Sequence, residues 1–169
     1  ARENLDGQIE CRLSDGLEKL MPGEVNTVLI AGMGGRLICR ILQKNPEILD
    51  KITYLVLQPQ SDYEMLRRLL PEIHFEITKE NFCVDENKPY VVIQAVKSTK
   101  EQVAYRECEF CYGKMDLQQN PVEYKEYLSQ EREKMIHIKE KLKDISTEHS
   151  LTRREELVHT LKCMDEILK

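Results

Sequence analysis

A chain of 169 residues with 41% apolar content can bury one substantial core and an appendage, which excludes two large independent domains. A charged fraction of 33% and a formal net charge of -5 predict a soluble, cytoplasmic protein and weigh against a surface that is basic throughout, the usual mark of a phosphate binder. No apolar run approaches the roughly 18 residues of a membrane span, no signal peptide is visible, and the six cysteines are spread along the chain, so reduced thiols are expected.

The opening residues 1–7 read as the last turn of a helix, with Asn4 and Gly7 at its stop and no initiator Met, which implies missing sequence upstream. Residues 8–13 alternate loosely and predict a short strand that ends in the turn Ser14-Asp15-Gly16. Thr27-Val28-Leu29-Ile30-Ala31 is a continuous apolar run, as for a strand covered on both faces, and it stops at Gly32. Residues 37–42 have helical spacing closed by Asn45-Pro46, and a second apolar run, Tyr54-Leu55-Val56-Leu57, ends at Gln58-Pro59. Ser61-Asp62-Tyr63-Glu64 has the spacing of a capping box, placing a helix through Met65, Leu66, Leu69 and Leu70 to Pro71. Strands then fit residues 74–78 and 90–96. The order predicts an α/β chain whose residues 1–119 form the back half of a doubly wound sheet finishing in an antiparallel pair.

From Asn120-Pro121-Val122-Glu123 the pattern changes, since Asn caps, Pro fits the first helical position and Glu favours the positive end of the dipole. Tyr124, Leu128, Met135, Ile138, Leu142 and Ile145 fall on three- and four-residue steps with Glu131 as the polar intruder, the seam of a coiled coil. After a polar break at residues 146–150, Thr152 to Glu155 offers a second capping box, and Leu157, Leu161, Met164 and Leu168 repeat the seam. Residues 120–169 are therefore expected to form an antiparallel helical hairpin.

The strongest local motif is Ile30-Ala31-Gly32-Met33-Gly34-Gly35-Arg36, because a buried strand running through glycines into a helix leaves main chain open to a ligand at the strand's carboxyl end. A tight turn with no ligand is the plainer alternative. A dinucleotide fingerprint fails, since Leu37 stands where the third small residue belongs and Gln58 ends the next strand instead of an acid; no Gly-Lys-Ser/Thr follows for a phosphate loop. Asp15-Gly16 places a carboxylate acceptor beside a glycine, though an ordinary turn explains it equally well. At Gln58-Pro59 the amide has both a donor and an acceptor for a base edge, against simple strand termination by proline. Cys108 and Cys111 form a lone CxxC without a second ligand pair, so no metal site is expected, and His74, His137, His149 and His159 read as packing or solvent-facing. Lys134, Lys139, Lys141, Lys143, Arg153 and Arg154 suggest a phosphate-facing stripe or, with Glu and Asp interleaved, a mixed solvated face.

Together, Arg12-Leu13-Ser14-Asp15-Gly16-Leu17, Ile30-Ala31-Gly32-Met33-Gly34-Gly35 and Leu57-Gln58-Pro59 resemble the bacterial tRNA (adenine(22)-N(1))-methyltransferase family, TrmK, strongly over residues 1–96 and more loosely over the hairpin. The resemblance implies a class I, Rossmann-like methyltransferase sheet, S-adenosyl-L-methionine as cofactor and tRNA as partner. By position it assigns Gly32, Met33, Gly34 and Gly35 to the methyl-transfer loop, Asp15, Gly16, Ala31 and Gly32 to the cofactor, and Gln58 and Pro59 to the base. It also implies that roughly a first quarter, with the strands that hold the cofactor, is absent here, so these residues alone are expected to bind the cofactor weakly and to be inactive. A Rossmann-like methyltransferase with another substrate, or a non-catalytic RNA or protein interaction module, stays open beside it.

Overall fold

The computed structural model describes residues 9–86, 88–100, 104–143, 145 and 147–169. Its centre is a four-stranded sheet of β1 (Thr27–Met33), β2 (Tyr54–Pro59), β3 (Phe75–Asp85) and β4 (Lys88–Lys97), in the order β1-β2-β4-β3. β1 and β2 are parallel, joined by α1 (Gly35–Lys44) and the short α2 (Pro46–Leu49); α3 (Tyr63–Glu72) leads to β3, and β4 runs antiparallel to both neighbours. The expected back half of a doubly wound sheet ending in an antiparallel pair is what forms.

Side chains alternate across a strand, so register decides which residues share a face. Val28, Leu55, Ala95 and Ile77 line up in one buried row, and Ile30, Leu57, Ile93 and Glu80 in the next. Against these rows pack Ile38, Leu42, Leu66, Leu69 and Leu70 from α1 and α3, spaced three and four apart so that each helix turns one stripe inward. The opposite face is bare among the described residues: Leu29 is 69% and Tyr54 54% exposed. The Thr27 to Ala31 run thus lies under helices on one face only, contrary to the reading of a strand covered twice.

Several local expectations are corrected. Residues 9–13 pair with no strand, Leu13 standing almost fully exposed; residues 1–8 lie outside the described residues. The strand expected at 74–78 runs on to Asp85, because a bulge between Ile77 and Lys79 reverses the alternation and turns Glu80 and Phe82 inward. No capping box forms at Ser61: the residue ahead of α3 is Asp62, in left-handed geometry with no side-chain cap bond.

Beyond the sheet lie α4 (Glu107–Tyr112), a single 3-10 turn at Met115–Leu117, α5 (Pro121–Lys141) and α6 (Glu148–Ile167). Asn120 stands at the N-cap position of α5 but makes no side-chain cap bond; its amide nitrogen donates to Asn81 Oδ1 and to the carbonyl of Phe82. Thr147, not Thr152, caps α6, its hydroxyl accepting from Ser150 N–H; Thr152 sits within the helix and donates to Glu148 O. The two helices run antiparallel, with Arg132 bonded to Asp165 and Arg154 to the carbonyl of Lys143. Tyr124, Leu128, Leu157, Leu161 and Met164 of the seam are buried, with Tyr124 and Tyr127 against Phe82 of β3, whereas Ile138 and Ile145 are exposed.

Inside this junction Arg67 is buried and forks onto Glu80, Nε to Oε1 at 3.0 Å and Nη2 to Oε2 at 2.7 Å. Its remaining Nη1 donates to the carbonyls of Phe110 and Cys111 at 3.0 and 2.8 Å, so one guanidinium ties α3, β3 and α4 together.

Candidate active site at the carboxyl rim

The carboxyl ends of β1 and β2 meet at one rim, where a register shift between Ala31 and Met33 drops Gly32 out of the ladder. Gly32 has φ +75, a left-handed geometry costly for any side chain, and no atom lies within 4 Å of the point where a Cβ would stand. Its N–H donates to Gln58 Oε1 at 2.8 Å. The loop is then zipped to the second crossover by Gln60 N–H to Met33 O and Gly35 N–H to Ser61 O, both 2.9 Å. Gly35 opens α1 so close to that crossover that a Cβ would stand 2.6 Å from the carbonyl oxygens of Ser61 and Asp62. Asp62, at φ 51, keeps its carboxylate bonded to Ser61 Oγ at 2.8 Å and 3.8 Å from Arg36.

The structure therefore brings together Ala31, Gly32, Met33, Gly34, Gly35, Gln58 and Pro59, the residues the strand-end reasoning grouped. Gln58 is placed differently from a residue offering its whole amide to a ligand, because its oxygen already holds Gly32 and the nitrogen, 3.3 Å from Pro59 O, is left to donate. Asp15 and Gly16 do not join the rim. They flank the other end of α1, about 14 Å away at 1.5 Å per residue, where Lys44 donates to Asp15 at 2.8 Å and Gly16 rests on Ile41. The bonded ammonium of Lys44 holds the Asp15 carboxyl below its ordinary range.

One hollow adjoins the rim, and a second lies along α1 toward Asp15. The first, about 350 Å³, is lined by Gln58, Gln60, Tyr63, Lys88, Pro89 and Tyr90, offering amides, two aromatic rings and one cation. The other, about 660 Å³, runs along α1 past Arg36, Arg40 and Lys44, which repeat every four residues on one exposed face. That basic stripe is hard to read from the sequence, because α1 is short and its three cations are outnumbered by those of the hairpin.

Burial, then Asp62, raises the Cys39 thiol on α1, and on α4 burial with Glu64 pushes Cys111 up to about 12. Cys108, the partner of Cys111 in the CxxC, is wholly buried. Cys111 instead faces His159 and Cys163 of α6, a grouping 48 residues or more apart in the chain that no local spacing reveals.

A parallel strand pair joined through a glycine loop and helix, open at its carboxyl rim, defines a Rossmann-like α/β domain of the kind that holds nucleotide-containing ligands. The chain belongs to the TrmK family, tRNA (adenine(22)-N(1))-methyltransferase, whose model matches residues 1–166. It is 33% identical over 94 residues to the tRNA (adenine(22)-N(1))-methyltransferase of Bacillus subtilis (strain 168), a match covering 56% of this chain and 40% of that protein, so the matched segment spans less than half of that relative. A protein of the NADB-Rossmann superfamily from Streptococcus agalactiae superimposes with a TM-score of 0.82 at 25% identity, over 98% of this chain and 70% of that one. A Streptococcus pneumoniae protein in complex with S-adenosyl-L-methionine gives a TM-score of 0.75 at 25% identity, over 94% of this chain and 67% of that one.

Proposed function

We propose that this chain carries the methyl-transfer rim of an S-adenosyl-L-methionine-dependent enzyme that methylates N1 of an adenine in tRNA. The observation that carries the proposal is Gly32, an exposed left-handed main-chain position with open space above it, pinned by Gln58. Family membership and the likeness to a chain solved with S-adenosyl-L-methionine support the cofactor. When bound, the cofactor supplies a methyl carbon that the N1 lone pair takes, the sulfur keeping the electron pair of the broken bond.

N1 of neutral adenine bears that lone pair already, so no residue has to remove a proton first, and catalysis rests on alignment. Gly32, Met33, Gly34 and Gly35 shape the floor on which donor and base meet, with Ala31 and Gly32 toward the cofactor. Gln58 holds that floor and, with Pro59, forms the edge toward an adenine swung out of its stack. The hollow of Tyr63, Tyr90 and Lys88 suits the same base, through ring stacking and a phosphate contact. Arg36 and Arg40 extend the RNA path along α1. Asp15 and Gly16 are assigned to the adenine side of the cofactor; an Asp15→Asn protein should bind S-adenosyl-L-methionine more weakly, and an unchanged Kd would confine Asp15 to tying its turn to α1.

The division into a sheet domain over 1–119 and a hairpin over 120–169 belongs to this reading, as does a cytoplasmic location; no helix of the described residues is long and apolar enough to cross a membrane. The test is nucleoside analysis of tRNA incubated with the full gene product and S-adenosyl-L-methionine. 1-Methyladenosine is expected, strongly reduced by Gly34→Val, whose side chain would push against Ser61 Oγ, 3.0 Å from the Cβ position. Another methylated nucleoside, or methylation of a protein in place of tRNA, would refute the assignment.

A further inference from the structure

Where α6 packs on α4, Cys111, His159 and Cys163 bring their donor atoms together, all within 4.8 Å. His159 and Cys163 are four residues apart on α6 and therefore lie on one face, with Cys163 Sγ 3.7 Å from His159 Nε2. A thiolate and an imidazole bound to one tetrahedral zinc ion, at about 2.3 and 2.0 Å, stand about 3.5 Å apart. Glu64 Oε2, from the first turn of α3, is 3.6 Å from Cys111 Sγ. The scaffold is set in advance: Arg67 donates to the carbonyl of Cys111 at 2.8 Å, fixing the main chain of α4, and the other two ligands share one helix. Cys163 is buried, Cys111 half-buried and His159 exposed, which gives a dry floor and a route for an ion from solvent.

We propose that Cys111, His159 and Cys163 bind one divalent ion of the zinc class, with Glu64 or a water in the fourth position. Two soft sulfurs with one imidazole select zinc over calcium or magnesium, which prefer oxygen shells. The ion pins α6, at the root of the hairpin, to α4. Its role is structural, and the proposal stands independently of the methyl-transfer reading.

The experiment uses the unaltered chain, reduced and freed of metal with a chelator, then titrated with cobalt(II). An intense ligand-field spectrum of tetrahedral cobalt with a thiolate charge-transfer band, saturating at one ion per chain and displaced by zinc, is expected. Cys163→Ser and His159→Ala should each weaken cobalt binding at least about tenfold, the loss already seen when a group that only supports a ligand is removed. Cys83→Ser, at an exposed cysteine outside the cluster, should leave binding unchanged. A pale octahedral spectrum without charge transfer would overturn the site whether or not the variants fold. So would the absence of any cobalt spectrum from the reduced, folded chain.

Discussion

At Gly35 a single added methyl group has nowhere to go, because two carbonyl oxygens occupy its place at 2.6 Å. At Gly32 the space is open and only the left-handed φ of +75 opposes a side chain. Gly35→Ala is accordingly expected to cost about 3 kcal/mol, as overpacking a rigid contact does, and Gly32→Ala about 1 kcal/mol from main-chain strain alone. Urea unfolding of the two variants measures the difference, and equal losses would disprove the close approach. Arg67 presents the opposite case, a charge buried with its partner. Arg67→Met should lower stability by about 3–5 kcal/mol by stranding Glu80, while a double replacement with Glu80→Met regains most of the loss. The glycine loop was legible from its residues, as was Gln58 at a strand end. The Arg67 to Glu80 fork was not, because thirteen residues and a bulge separate its members.

Elements were easiest to read where one periodicity ran unbroken. The apolar runs of β1 and β2 and the three- and four-residue steps of α1 and α3 each specify a strand or helix without help from elsewhere. β3 was truncated in the reading because its bulge reverses the inward set, and only pairing with β4 carries the strand through that reversal. The start of α6 was misplaced since Thr147 and Thr152 both have chemistry suited to a cap. Thr147→Ala should destabilise the protein by about 1 kcal/mol, whereas Thr152→Ala should change it by less than about 0.5 kcal/mol; thermal unfolding of both decides which residue caps. Along α5 the seam is uniform in sequence but not in burial. Leu128→Ala at 2% exposure is expected to cost about 2–5 kcal/mol, and Ile138→Ala at 43% exposure a small fraction of that in the same unfolding measurement.

At the scale of the whole molecule, an acidic chain sets Arg36, Arg40 and Lys44 along one exposed face of α1, with Arg36 at the rim end and Lys44 bonded to Asp15 and Glu18 at the other. Arg40→Glu should weaken tRNA binding and flatten its dependence on salt by about one unit of slope, measured by titration at several salt concentrations. An unchanged slope would move the RNA path elsewhere. Length, patterning and three short motifs were enough for the α/β class, the order of elements from β1 to β4, the glycine rim and the resemblance to one family, because periodicity and turn chemistry are written in neighbouring residues. Which face of the sheet is covered, that Gln58 grips Gly32, that Asp15 is held by Lys44, and that Cys111 leaves Cys108 for His159 and Cys163 were decided only in three dimensions. Those outcomes depend on register and on how helices cross, which are set by packing among residues far apart in the chain.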